Sequence, residues 1–148
     1  MTSLESGFEA DLRQAVMDDV EAKARQDIGP RLIEAARANW QSYIQRNGYD
    51  IDHIPDEAEL SVERSGDVVT IRVEFPGLTA LFEWGVDPHT IDGNPLLAFI
   101  WESPPEGTRP PGAPEFVVAE SVNWGSVTGG IPEARAIRDA IDEVGGSL

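Results

Sequence analysis

Cysteine is absent from the 148 residues. That excludes a disulfide framework, a thiolate zinc site and a thiol nucleophile. Lysine is nearly absent: Lys23 is the one example, and the other ten of the eleven basic residues are arginines. No apolar run approaches the roughly 20 residues a membrane-crossing helix needs, so neither a span nor a membrane partner is expected. The first residues, Met1-Thr-Ser-Leu-Glu-Ser-Gly7, combine no basic stretch with no apolar core. No signal peptide is expected from them. Nor is there a repeat with a period of about 20–50 residues.

What the chain has in excess is acid. Twenty-seven Asp and Glu face eleven bases, for a net charge of −16. At ordinary salt a surplus of this size pushes a compact fold apart. At about 1 M salt the screening length falls to roughly 3 Å and the repulsion largely vanishes. An acidic, lysine-poor surface is therefore expected of a protein adapted to concentrated brine; the plainer reading is an ordinary acidic protein. The same balance speaks against a sequence-reading DNA-binding domain, which needs a basic face. With 41% hydrophobic residues the chain has the means to fold. The length fits a single domain, 1–148, divided into an N-terminal helical arm at 1–48 and a core at 58–148.

Phe8, Leu12, Val16, Val20 and Ala24 recur every four residues and predict a helix over 8–28 with one apolar stripe. Gly29-Pro30 stops or kinks it. Leu32, Ile33, Ala36, Trp40, Tyr43 and Ile44 predict a second helix over 31–46, ended by Asn47-Gly48. The two stretches can equally be one bent helix. After a polar connector at 49–57, Leu60, Val62 and Val68–Phe75 predict an antiparallel hairpin around Ser65-Gly66-Asp67. Residues 78–84 predict a short helix closed by Gly85. Pro95–Glu102, apolar on both faces, predicts a central strand, and Glu115–Trp124 predicts the last strand. Pro132 is expected to open a C-terminal helix with Ala134, Ile137, Ile141 and Val144 inward. The expected class is α+β: one mainly antiparallel sheet of about four strands, with N-terminal helices and a C-terminal helix packed on it.

Catalytic motifs are weak. His53 lies in the acidic connector 50–57, and His89 lies near Glu83, Asp87 and Asp92 in sequence. Carboxylates and an imidazole can hold a divalent ion, yet so acidic a chain places acids near any histidine by chance. No histidine pair has helical i, i+4 spacing, so no metal site is assigned. Gly125-Ser-Val-Thr-Gly-Gly130 lacks the Lys-Ser/Thr ending of a phosphate loop, and a glycine turn is the simpler reading. No serine sits in a Gly-x-Ser-x-Gly elbow. Trp40, Trp84, Trp101 and Trp124 fall one to an element. Tryptophans so placed are core anchors or interface anchors, and Trp84 and Trp101 fit either. The loop 103–114 holds five of the eleven prolines. It is expected to project as a stiff tip that contacts an adjacent subunit or ring through Pro104, Pro105, Arg109, Pro110 and Pro111.

Phe82-Glu-Trp-Gly85, His89-Thr-Ile91, the apolar run Leu96–Trp101, the run Phe116–Trp124 and the closing Ile131-Pro-Glu-Ala-Arg-Ala-Ile-Arg138 occur in a distinctive order. Together they resemble the tail-completion, or head–tail joining (neck), family of long-tailed viruses. The resemblance covers about residues 78–142. It departs from the family at Val86, where a threonine is usual, and at Asn123-Trp-Gly125, where His-Pro-Gly is usual. It implies a small structural α+β protomer, not an enzyme and without cofactor, that closes into a ring, commonly six-fold, between tail tube and head connector. Tail-terminator and head-completion proteins share the same look. Phe82, Glu83, Trp84, Gly85, His89, Trp101 and Arg138 would then be core or interface residues. The partners would be further copies of the chain and the neighbouring connector and tube proteins, with genome DNA passing through the lumen without sequence-specific contact. Assembly in the host cytoplasm into the virion is expected. The brine-adapted composition points to a virus of halophilic archaea. A small cellular binding module of a halophile is the competing reading from another class.

Overall fold

The computed structural model describes residues 2–100, 116–126 and 128–148. The chain is α+β, as expected. It divides into two compact units: residues 1–79 with 134–148, and residues 80–133. These boundaries do not fall in the 49–57 connector, where the sequence places the change from arm to core. The second helix, the hairpin that follows it and the last helix all belong to one unit.

In the first unit, helix α1 (Thr2–Lys23) runs through a π-helical turn (Ala24–Ile28) directly into α2 (Gly29–Asn47). Lys23, Ile28 and Gly29, at the junctions, all keep right-handed helical angles. Of the two readings open from the sequence, the single helix is the one observed. Pro30 has no N–H to give the preceding turn, and its ring crowds the carbonyl four residues back. The π turn absorbs this by bonding Gly29 N–H to Ala24 O, five residues back. Asp27 is clamped across the turn. Lys23 donates to its carboxylate at 3.0 Å and, with Arg31 at 3.6 Å, holds the carboxyl below its usual range.

Helix α2 buries Ile33, Ala36, Trp40, Tyr43 and Ile44, at the expected three- and four-residue spacing. It ends at Gly48, whose N–H donates to Ile44 O at 2.8 Å. Arg37 donates to Pro55 O and Ala58 O at 3.0 and 2.9 Å. It thereby pins the short helix α3 (His53–Asp56) and the start of the next strand to α2. Strands β1 (Glu59–Ser65) and β2 (Val68–Glu74) pair antiparallel, with Leu60 opposite Val73 and Val62 opposite Ile71. These inward residues alternate with exposed Ser61, Glu63, Thr70 and Arg72.

Burial pushes the Tyr43 hydroxyl from 10.0 up to about 12, with neighbouring Tyr49 adding to the shift. The folded state holds this proton more tightly than the unfolded chain. Its contribution to stability is therefore complete below pH 10.0 and lost as pH rises toward about 12. Urea unfolding across that window is expected to show a declining midpoint, and Tyr43→Phe is expected to flatten the decline.

Helix α5 (Ala136–Gly146) packs on α2 and buries Ala136, Ala140 and Val144. It starts later than Pro132, where the sequence placed it, and its inward stripe is rotated. Ile137 is half-buried and Ile141 is exposed. The cause lies upstream. Ile131 is drawn into an isolated backbone bridge with Val86, so the chain is extended there, and Arg135 at φ 53° makes the turn into the helix. Asn39 then fixes the first turn by donating to Ala136 O at 3.1 Å.

In the second unit, the short helix α4 (Thr79–Trp84) leads to β3 (His89–Ile100), which pairs antiparallel with β4 (Phe116–Trp124). The expected strands are thus present, but as two separate two-stranded ladders rather than one sheet of about four. Outward Glu59, Glu63, Arg72 and Glu74, with Pro76 just beyond, leave the edges of the first hairpin charged. Among the described residues Pro95–Ile100 pairs with β4 alone, so it is not a central strand. The strand also begins earlier than expected. His89–Asp92, ahead of the expected strand, pairs with Ser121–Trp124, and the register shifts between Asp92 and Leu97 around Pro95, which has no N–H to give.

Candidate assembly surface

Helix α4 is two-sided over six residues. Thr79 and Glu83, one turn apart, are buried. Thr79 Oγ1 donates to Pro76 O, capping the turn that starts the helix. Leu81 and Trp84 face out, and Trp84 is 64% exposed. That exposure is not that of a core anchor within the chain. Phe82 is half-buried beside it.

Gly85 closes the helix at φ 70°. A Cβ there would lie 2.7 Å from Glu133 N and 2.7 Å from Ile131 O. Glycine is required twice over, by handedness and by space. This close approach sets up the Val86–Ile131 bridge, with N–H···O distances of 2.8 Å in both directions. No local pattern of residues sets the register of that bridge. The glycines at 125, 129 and 130, all at positive φ, were its one signal, since they let the chain turn back tightly.

His89 stands opposite Trp124 at the first rung of the hairpin, its ring 5.2 Å from the indole. Its Nδ1–H donates to Asp87 O at 2.9 Å. The ring is thus a packing element at the root of the ladder. Among the described residues no three His, Asp or Glu side chains gather in a metal-binding group, and no helix is long and apolar enough to cross a membrane.

Farther along, Ile100 pairs with Phe116 and Ala98 with Val118. Leu96, Ile100, Phe116 and Val118 are all exposed. No described hydrophobic side chain of residues 80–133 is fully buried; the buried apolar core belongs to the first unit. Arg138 lies half-buried on α5, in the first unit. Trp101, Pro104, Pro105, Arg109, Pro110 and Pro111 lie outside the described residues.

Two further apolar features belong to the first unit. An open groove of about 260 Å³ runs between α2, β2 and α5, lined by Leu32, Ile71, Phe75, Ile137 and Ile141 with Arg72 beside them. On α1, the stripe Phe8, Leu12, Val16 and Val20 is exposed, and only Ala24 at its end is buried. No protein-family model, curated protein or solved structure matches this chain.

Proposed function

We propose that this chain is a structural protein of the neck or tail of a tailed virus, working as a closed ring of copies, with six favoured, between head connector and tail tube. One observation carries the reading. The unit built from Leu81, Trp84 and the β3–β4 hairpin has no buried apolar side chain among its described residues, yet displays Ile91, Leu96, Ile100, Phe116 and Val118. A lone two-stranded hairpin is marginal in water, and a concentration of exposed apolar surface marks a protein–protein contact. The Phe82–Gly85 signature lies beside this surface, which supports the neck family over other assemblies. The role is architectural, with no catalytic step and no cofactor, and its place is the virion after assembly in the host cytoplasm. The acidic surface suits a brine-dwelling virus and a lumen that repels DNA phosphate. Tail-terminator and head-completion positions are variants of the same reading.

Particle mass and negative-stain images in about 2–3 M salt, where charge is screened, test it. A closed ring is expected. A monodisperse monomer at that salt overturns the proposal and favours the small cellular binding module. Trp84→Asp is expected to leave the unfolding midpoint unchanged and to weaken each joint by about 2 kcal/mol or more, or roughly 30-fold.

A further inference from the structure

We infer that helix α1 is a separately opening arm, fastened to the first unit by Arg64 rather than by apolar packing. It opens as far as the π turn while α2, the first hairpin and α5 stay folded.

The inward face of the first hairpin changes character along its length. Leu60, Val62 and Arg64 follow at the period of two that puts them on one face of β1. Leu60 seats the start of α2: a Cβ added to Gly29 would lie 3.2 Å from Leu60 Cδ1. Val62 is buried. The third position, beside the turn, is an arginine, and it meets α1. Its guanidinium donates to Asp18 at 2.6 Å and lies 3.5 Å from Glu21, with the Arg64 side chain only 18% exposed.

These contacts form one chain of polar groups along the helix. Gln14 donates to Asp18 Oδ1 at 3.1 Å, the same oxygen that Arg64 uses. Glu21 offers Oε2 to Arg64 and Oε1 to Arg25, the latter at 3.0 Å. Nearer the N-terminus the hold is looser. Arg13 and Asp67 stand 3.7 Å apart, both well exposed, and such a pair contributes little.

Apolar packing does not supplement this hold. From Gly7 to Lys23 no side chain is buried, and only Met17 and Glu21 are half-buried. The first buried residue is Ala24, inside the π turn. Gly29, Ile33 and Ala36 then follow, all buried. A protein helix draws most of its stability from packing an apolar face, and segments with few buried apolar contacts open first. The π turn therefore separates a helix held by packing from one held by charge. In molar salt the exposed Arg13–Asp67 pair is screened, whereas a partly buried pair at contact distance is screened much less. Among the described residues, Arg64 is then the fastening that remains.

Hydrogen exchange on the full-length chain in about 2–3 M salt tests this, comparing the amides of residues 14–20 in α1 with those of residues 33–44 in α2. In the wild type the α1 amides should be protected, yet open on their own and faster than those of α2. Arg64→Gln should lower α1 protection on the order of tenfold and leave the α2 amides and the urea midpoint unchanged. Arg13→Gln should alter neither helix. Asp18→Asn, at an exposed position that cannot disturb the core, should weaken α1 alone. Combined with Arg64→Gln it should add little, because both remove the same contact. The inference is overturned by α1 and α2 amides that exchange together, by a wild-type α1 without protection, or by an Arg64→Gln variant whose α1 stays as protected as in the wild type. A loss of protection that spreads equally into α2 would make Arg64 a core residue and overturn it too, as would fully additive effects of Asp18→Asn and Arg64→Gln.

Discussion

Trp40→Ala is expected to remove about 3–5 kcal/mol of stability, a large share of the roughly 5–15 kcal/mol that holds a domain together. Trp40 is 0% exposed at the middle of α2. Its ring meets Tyr43 edge-on at 5.8 Å and Phe75 of the segment after β2 at 6.3 Å. Truncation would leave a void bounded by α2 and the chain beyond the hairpin, and the continuous helix cannot collapse to fill it. Urea unfolding followed by circular dichroism in molar salt reads the loss. The indole has a second property. Its Nε1–H is buried with no hydrogen-bond partner among the described residues, which costs about 1–3 kcal/mol. Trp40→Phe sheds that cost while keeping most of the ring, so its loss is expected to be small, about 1 kcal/mol. Equal effects from the two substitutions would show that the ring does not anchor the core.

Gly85→Val is expected to disrupt the root of the second unit. An L-residue at φ 70° costs about 1–2 kcal/mol from handedness alone. The added Cβ would also stand 2.7 Å from two backbone atoms, at Glu133 and Ile131, which cannot swing aside as a side chain would. Relief requires breaking the paired bonds between Val86 and Ile131, each contributing about 0.5–1.5 kcal/mol. The combined effect is on the order of 3–4 kcal/mol. Hydrogen exchange locates it: the Val86 and Ile131 amides should lose protection while amides of α2 keep theirs. Gly77→Ala is the control. Its φ is 54°, but a Cβ there meets nothing within 4 Å, so only the strain of handedness should appear. Unchanged protection at Val86 in the Gly85 variant would show that the close approach is not needed.

The elements with strong local periodicity were legible. The three- and four-residue spacing of Ile33, Ala36, Trp40 and Tyr43 placed α2, the Gly66-Asp67 turn placed the β1–β2 hairpin, and Gly85 placed the end of α4. What depends on distant partners was not. Four strands can close as one sheet or as two ladders with the same alternation, and the choice lies in which edges meet. The start of α5 was misplaced because Pro132 fits a helix start locally, whereas Ile131 is held by a residue 45 positions earlier. The four-residue spacing of Phe8, Leu12, Val16 and Val20 marks the α1 stripe as apolar; that the stripe is left exposed depends on the Asp18–Arg64 pair, a contact 46 residues apart. Of the candidate surface, the Glu-Trp-Gly element was visible beforehand, and the exposure of its tryptophan was not.

The bridge between Val86 and Ile131 has a consequence for how this chain can change over time. It pinches the outgoing and returning backbones together immediately after Gly85 and before Pro132. Between these two residues, the described part of the chain pairs as the β3–β4 ladder. Residues added between β3 and β4 leave the Val86–Ile131 pair where it is, because both of its members lie outside that stretch. A lineage can therefore vary the length of that connection while α2, α5 and the first hairpin, which belong to the other unit, keep their own packing.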